Sequence, residues 1–183
     1  MVLMHTPDAD KSFKAKDFSL KGTDGKTYTL ADVRGQKGTL VMFICNHCPY
    51  VKGIMDRLPN TMKKLQNTGI GVVAIMPNDT ENYPADSFEN MQDFARENGF
   101  TFPYIIDETQ DISKAYGAVC TPDFFGFNAE DELEYRGRLD SSGKDPASAN
   151  TVPELLLAMQ QVAEVGRFDG QQTPSMGCSI KWK

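Results

Sequence analysis

Thr39-Leu40-Val41-Met42-Phe43-Ile44 is a short, almost wholly apolar and partly β-branched run, after which the apolar residues change to a helical spacing. Such a run reads as a strand covered on both faces, central in its sheet. Val51, Ile54, Met55, Leu58, Met62 and Leu65 then recur on one helical face, so the spacing predicts a helix from about Cys48 to Asn67. Pro49 suits its first turn, whereas Pro59 falls inside and predicts a kink. Gly69 ends the helix and Ile70 to Met76 gives a second buried strand, closing a βαβ unit with a right-handed crossover. A chain built on this unit must cover both faces of a sheet, which commits it to the α/β class.

The remaining segments extend that unit. Phe18 to Leu20 and Thr27 to Leu30 flank a turn containing Asp24-Gly25, predicting an N-terminal β-hairpin. Asp86 with Glu89 resembles a capping box for a second amphipathic helix ending at Gly99, and Phe102 to Ile106 reads as a third strand. Asp123 to Phe127 and Leu133 to Arg138 bracket a polar turn as an antiparallel pair; Thr151 with Glu154 opens a last helix that carries Leu155, Leu156, Met159 and Val162 inward. The expectation is a mixed central sheet with helices on both faces, an N-terminal hairpin extension and an irregular C-terminal tail. Residues 1–16 read as an N-terminal arm, 17–165 as the domain, and 166–183 as a tail that docks on it through Ile180 and the sole tryptophan, Trp182.

The chain has 183 residues, 40% of them hydrophobic, with 19 Lys and Arg against 25 Asp and Glu, a formal charge of -6. One domain of this size buries about 70% of its unfolded surface and needs no disulfide staples. The negative balance disfavours phosphate backbones and anionic lipid, so neither nucleic acid nor a membrane surface is an expected partner. The longest nearly apolar run, Thr39 to Cys45, is far shorter than the ~18 residues of a membrane-spanning helix. Met1 to Leu20 lack the continuous apolar stretch of a secretory signal, and a cytoplasmic location is expected. In a reducing compartment structural crosslinks are not the expected use of the four cysteines at 45, 48, 120 and 178, and the close pair, Cys45 and Cys48, points to chemistry or metal.

Cys45-Asn46-His47-Cys48-Pro49 lies where the central strand ends and a helix begins. Unpaired N–H groups in a first helical turn stabilise a thiolate, lowering a cysteine pKa from ~8.5 toward ~3.5–7.5. Two intervening residues let one sulfur attack a disulfide and the other resolve the mixed disulfide. Cys45, at the mouth of the strand and nearer solvent, is expected to attack, and Cys48 to resolve. His47 can stabilise a thiolate by charge or N–H donation, or be a plain loop histidine. The same pair could be half of a zinc site, with Cys120 and His47 its obvious completions, but no second ligand pair follows and no metal is expected.

A second signal, Val119-Cys120-Thr121-Pro122, directly precedes a strand. Cys-x-x-Cys after an apolar strand, a long helix, and Thr-Pro before a β-hairpin together resemble the thioredoxin superfamily. That resemblance implies a cis proline at Pro122 facing the dithiol, with the backbone of Thr121 pairing with an extended substrate. Five segments narrow it: Asp17-Phe18-Ser19-Leu20 with Asp24-Gly25-Lys26, Cys45 to Lys52, Thr121-Pro122-Asp123-Phe124-Phe125, Tyr135-Arg136-Gly137-Arg138, and Gly177-Cys178-Ser179-Ile180-Lys181-Trp182. From about Asp17 onward the chain looks like the peroxiredoxin-like redoxins of the alkyl hydroperoxide reductase and thiol-specific antioxidant family.

The implied activity is thiol-disulfide exchange with protein or low-molecular-weight disulfides, re-reduced by an upstream dithiol, with an antioxidant role and no cofactor beyond the redox-active disulfide. Cys45, His47, Cys48 and Pro122 would form the catalytic set, with Asn46, Pro49, Thr121 and Cys120 bordering the substrate. The resemblance also brings a rival, peroxide reduction at Cys48 with Cys45 resolving. There the family's proline seven residues earlier and hydroxyl three residues earlier are replaced by Val41 and Cys45, and Arg136 or Arg138 would have to supply the guanidinium. A non-enzymatic metal-binding or partner-binding module is a third alternative. Cys120 is expected to be packed, while a docked tail could bring Cys178 to Cys120 or to Cys45 as a second redox pair.

Overall fold

A computed structural model of the protein describes residues 2–183. The chain opens with β1 (Leu3–His5), then β2 (Ser19–Gly22) and β3 (Thr27–Thr29), a hairpin whose turn puts Gly25 at φ 83, in the left-handed region. Thr29 caps the short α1 (Leu30–Val33) through a reciprocal pair with Asp32. Next come β4 (Gly38–Phe43), α2 (Pro49–Lys52), α3 (Leu58–Asn67), β5 (Ile70–Met76), α4 (Phe88–Glu97) and β6 (Tyr104–Ile106). After them follow α5 (Asp111–Tyr116), β7 (Cys120–Thr121), β8 (Asp123–Phe127), β9 (Leu133–Tyr135), α6 (Glu154–Val165) and β10 (Met176–Ser179).

Seven strands form one mixed sheet in the order β3-β2-β6-β5-β4-β8-β9. β4, β5 and β6 run parallel, while β8 and β2 pair antiparallel to β4 and β6. The hairpin is therefore the sheet's edge, with Lys21 opposite Ile106. Period-two alternation in β4 sends Leu40 and Met42 to one face, against Leu58, Met62 and Leu65 of α3 and Leu155, Met159 and Val162 of α6. Val41 and Phe43 point to the other face, where Phe43, Tyr116 and Phe125 meet edge-on with ring centroids 5.5 to 5.6 Å apart. Each such fully buried side chain contributes roughly 1.5–3 kcal/mol, and every residue of β4 is buried between the two faces.

Three local expectations give way to tertiary packing. The single helix over 48–67 is two, because Gly53 packs against the Lys144 backbone, where a Cβ would lie 2.3 Å from its carbonyl oxygen. Pro59 consequently sits in the first turn of α3 and makes no kink. Asp86 is not the cap of α4: Ser87 accepts from the Asn90 N–H at 3.3 Å, and Asp86 turns inward. Pro153 rather than Thr151 precedes α6, the Thr151 hydroxyl accepting instead from the Ser148 N–H at 2.8 Å.

The chain ends build a second, three-stranded sheet in the order β1-β10-β7, with Cys178 opposite both Leu3 and Thr121. Beyond the irregular stretch after α6, the tail thus ends in a strand laid across the segment before Pro122. Among the described residues no helix is long and apolar enough to cross a membrane.

Candidate active site

β4 delivers the chain to Cys45, and Cys48 is the residue before α2, with Pro49 exposed at the first helical position. On the opposite side β7 presents Thr121, whose peptide bond to Pro122 is cis. The Cys45 sulfur lies 3.4 Å from the Thr121 hydroxyl, and the Cys48 sulfur lies 3.3 Å from the Thr121 carbonyl oxygen. The structure thus brings Cys45, Cys48, Thr121 and Pro122 together.

Burial corrects the expected exposure. Cys45 is 1% exposed and Cys48 0%, so neither sulfur lies open at the mouth of the strand. Acidity is distributed against expectation too. Cys48 is held far below the ordinary thiol range, first by the S–H of Cys45 and further by Cys178 and by the Val51 amide, which together outweigh burial. Cys45 is pushed well up because its proton is held by Cys48, and then by burial and by the Asp86 carboxylate. A central sulfur flanked by two S–H donors keeps the charge, while its neighbour beside a carboxylate keeps the proton.

His47 is half-buried and stacks on Tyr83, with ring centroids 6.0 Å apart and 9° between planes. Its Nδ1 faces Asp86 Oδ2 across 2.6 Å, off the line of a full N–H bond. Donor atoms of Cys45, His47 and Asp86 all lie within 4.8 Å of one another, a set suited to relaying a proton from Cys45 and close enough to hold a cation. Asp86 is completely buried, accepting from the Asn46 N–H at 2.8 Å and from Asn78 Nδ2 at 2.9 Å. Sequence reasoning missed it, since its only signal was read as a helix cap.

Other expected residues fall elsewhere. Asn46 is buried, donating to the Ala85 carbonyl at 3.1 Å and accepting from the Tyr104 hydroxyl at 2.9 Å, so it braces the loop between the two cysteines. Cys120 is buried on the opposite side of β7, 3.6 Å from the Pro122 carbonyl, and burial raises its pKa above the thiol range. The Cys178 sulfur lies 2.8 Å from that of Cys48, a neighbour the sequence reading did not name for it. Arg136 donates to Asp123 at 2.9 and 3.2 Å and Arg138 to Glu154 at 2.7 and 2.8 Å, so both guanidinium groups are engaged by carboxylates. A cavity of about 230 Å³ opens beside the site, between Tyr50, Ile54, Pro122, Phe124 and the Ser175-Met176 step.

The chain is similar to several known proteins. A conserved protein of Geobacillus kaustophilus is 42% identical, and its crystal structure superposes with a TM-score of 0.92 over 100% of this chain and 97% of that one. The thiol-disulfide oxidoreductase ResA of Bacillus subtilis is 28% identical over 119 residues, 65% of this chain and 62% of ResA. Peroxidoxin BcpB of Mycobacterium tuberculosis, 13% identical, shares the thioredoxin-like fold with a TM-score of 0.61 over 87% of this chain and 99% of that one. The AhpC/TSA family profile matches residues 12–136, so the chain belongs to the AhpC/TSA family.

Proposed function

We propose that the protein is a thiol-disulfide oxidoreductase in which Cys48 attacks and Cys45 resolves. The observation that carries this reading is the Cys48 sulfur, set between two other thiols and against Thr121 ahead of cis Pro122. The Cys48 thiolate attacks a partner disulfide, forming a mixed disulfide and expelling one partner sulfur as a thiolate that takes up a proton. Cys45 then passes its proton toward the Asp86-His47 pair and attacks the Cys48 sulfur, which forms the Cys45-Cys48 disulfide and releases the second partner thiol. An upstream dithiol returns the pair to the reduced state, and the scheme needs no bound cofactor. Because Cys48 is buried, a partner reaches it by way of the cavity beside Tyr50 and Pro122 once β10 yields.

The test is turnover of a protein disulfide with a dithiol reductant, in a Cys178→Ala background. Cys48→Ser is expected to lose exchange by about 100-fold or more, and Cys45→Ser to stall with partner attached to Cys48. Exchange that survives at Cys45 without Cys48 refutes the assignment. Peroxide reduction is the second reading, favoured by the acidity of Cys48 and opposed by the engagement of Arg136 and Arg138. Stopped-flow oxidation of Cys48 by peroxide, faster by orders of magnitude than by a disulfide, would put the peroxidase first.

A further inference from the structure

Cys178 belongs to none of the steps above, yet the strand that carries it is paired on both sides. β10 is hydrogen-bonded on one side to β7, with Cys178 opposite Thr121, and on the other to β1. Just before it, the Ser175 hydroxyl donates to the Pro122 carbonyl at 2.8 Å, and the Ser175 N–H donates to the Thr6 hydroxyl at 2.9 Å. Just after it, the Lys181 N–H donates to Asn78 Oδ1 at 2.9 Å, and the Asp79 N–H donates to the Lys181 carbonyl at 2.8 Å. Gly177 lets the strand press onto Thr121, since a Cβ there would lie 2.1 Å from the Thr121 carbonyl oxygen. These contacts converge on one distance, 2.8 Å between the Cys178 and Cys48 sulfurs, within about 0.8 Å of bonding length.

We propose that Cys178 is a third redox thiol, and that Cys48 carries its disulfide alternately with Cys45 and with Cys178. The inference rests on exchange chemistry at Cys48 as described above. In the internal step, the Cys178 sulfur gives up its proton and attacks Cys48 within the Cys45-Cys48 disulfide. The Cys48-Cys178 bond forms as the Cys45-Cys48 bond breaks, and Cys45 leaves as a thiolate that takes up a proton. One disulfide and one thiol stand on each side, so no outside oxidant or reductant enters. Cys178 can equally resolve a mixed disulfide on Cys48, expelling the partner thiol. In the Cys48-Cys178 state β10 is covalently closed over the attacking sulfur, whereas in the Cys45-Cys48 state it is held by hydrogen bonds alone.

The test uses full-length protein, oxidised with one equivalent of diamide, acid-quenched, digested with trypsin and mapped without reduction. Cys45 and Cys48 share the peptide 38–52, Cys178 lies in 168–181, and Cys120 lies in 115–136. Cys45→Ser is expected to join 38–52 to 168–181 with the loss of two hydrogens, in about tenfold excess over any linkage to 115–136. In unaltered protein both the bond within 38–52 and the link to 168–181 are expected, and Cys178→Ala leaves the first alone. Gly177→Ala, which drives β10 off Thr121, is expected to cut the cross-link severalfold while the bond within 38–52 still forms. The inference fails if unaltered protein forms the bond within 38–52 but neither it nor folded Cys45→Ser links to 168–181, or if the link runs to 115–136. If unaltered protein makes no bond between Cys45 and Cys48 while the link to 168–181 forms, the exchange scheme fails and the pairing of Cys48 with Cys178 stands.

Discussion

Two protons, shared among three sulfurs, set the reactivity of the site. Cys48 keeps the charge because the Cys45 and Cys178 thiols both hydrogen-bond to it; Cys45 is pushed up first by that bond, Cys178 first by burial and then by Cys48. Lowering the pKa of an exchanging thiol stabilises its reduced form and makes the couple more oxidising. It also fixes a pH profile. An ordinary thiol loses about tenfold in alkylation rate per pH unit below ~8.5, because only the thiolate reacts. Carboxamidomethylation of Cys48, followed by mass spectrometry from pH 8 to pH 6, is expected to stay nearly flat; a tenfold fall per unit would return Cys48 to the ordinary thiols. The sign for stability follows. With its folded pKa below its unfolded one, Cys48 stabilises the reduced protein at high pH, and that contribution fades as pH falls toward about 4. Little of this charge distribution was legible in the sequence. Cys-x-x-Cys at a strand end announces paired sulfurs, but which one holds the proton depends on Asp86 and Cys178, which lie 38 and 130 positions from Cys48.

At the level of elements, the best-read segments are those whose residues answer to one environment. β4 and β5 are almost wholly apolar because both faces of the sheet are covered, so their composition alone reveals them. The break between α2 and α3 was illegible because it is imposed by Gly53 meeting the distant Lys144 backbone, although the apolar periodicity runs through it undisturbed. β8 holds a comparable long-range constraint. Asp123 is completely buried, and burial raises its pKa against the pull of Arg136, which bonds it twice, donates to the Gly117 carbonyl at 2.9 Å and lies 4.2 Å from the Phe125 ring centre. Removing one member of such a pair strands the other in a low-dielectric interior. Arg136→Leu is therefore expected to cost about 3–5 kcal/mol by urea denaturation, and a double variant with Asp123→Leu to recover much of that loss. A single-variant cost under about 1 kcal/mol would show that Asp123 takes up a proton and needs no partner.

Over the whole molecule, a seven-stranded sheet supplies the rigidity and the small terminal sheet supplies the cover. β4 lies inside the large sheet, between β5 and β8, with every residue buried, so its amides are expected to exchange with solvent only on global unfolding. β10 is four residues long, is paired to a three-residue and a two-residue strand, and leaves Met176 exposed, so fewer contacts oppose its opening. Access to Cys48 needs that difference, since a sulfur with no exposed surface reacts only through an opening smaller than unfolding. Hydrogen exchange followed by mass spectrometry on reduced protein is expected to show the β10 amides, including Ser179 N–H on the Val2 carbonyl, exchanging about ten to a hundred times faster than those of β4. Joining Cys48 to Cys178 should then slow β10 toward the β4 rate, because opening it would require breaking a covalent bond. Equal protection of β10 and β4 in the reduced state would mean that the cover stays shut, and that any partner of Cys48 must enter from the His47 and Tyr83 side instead.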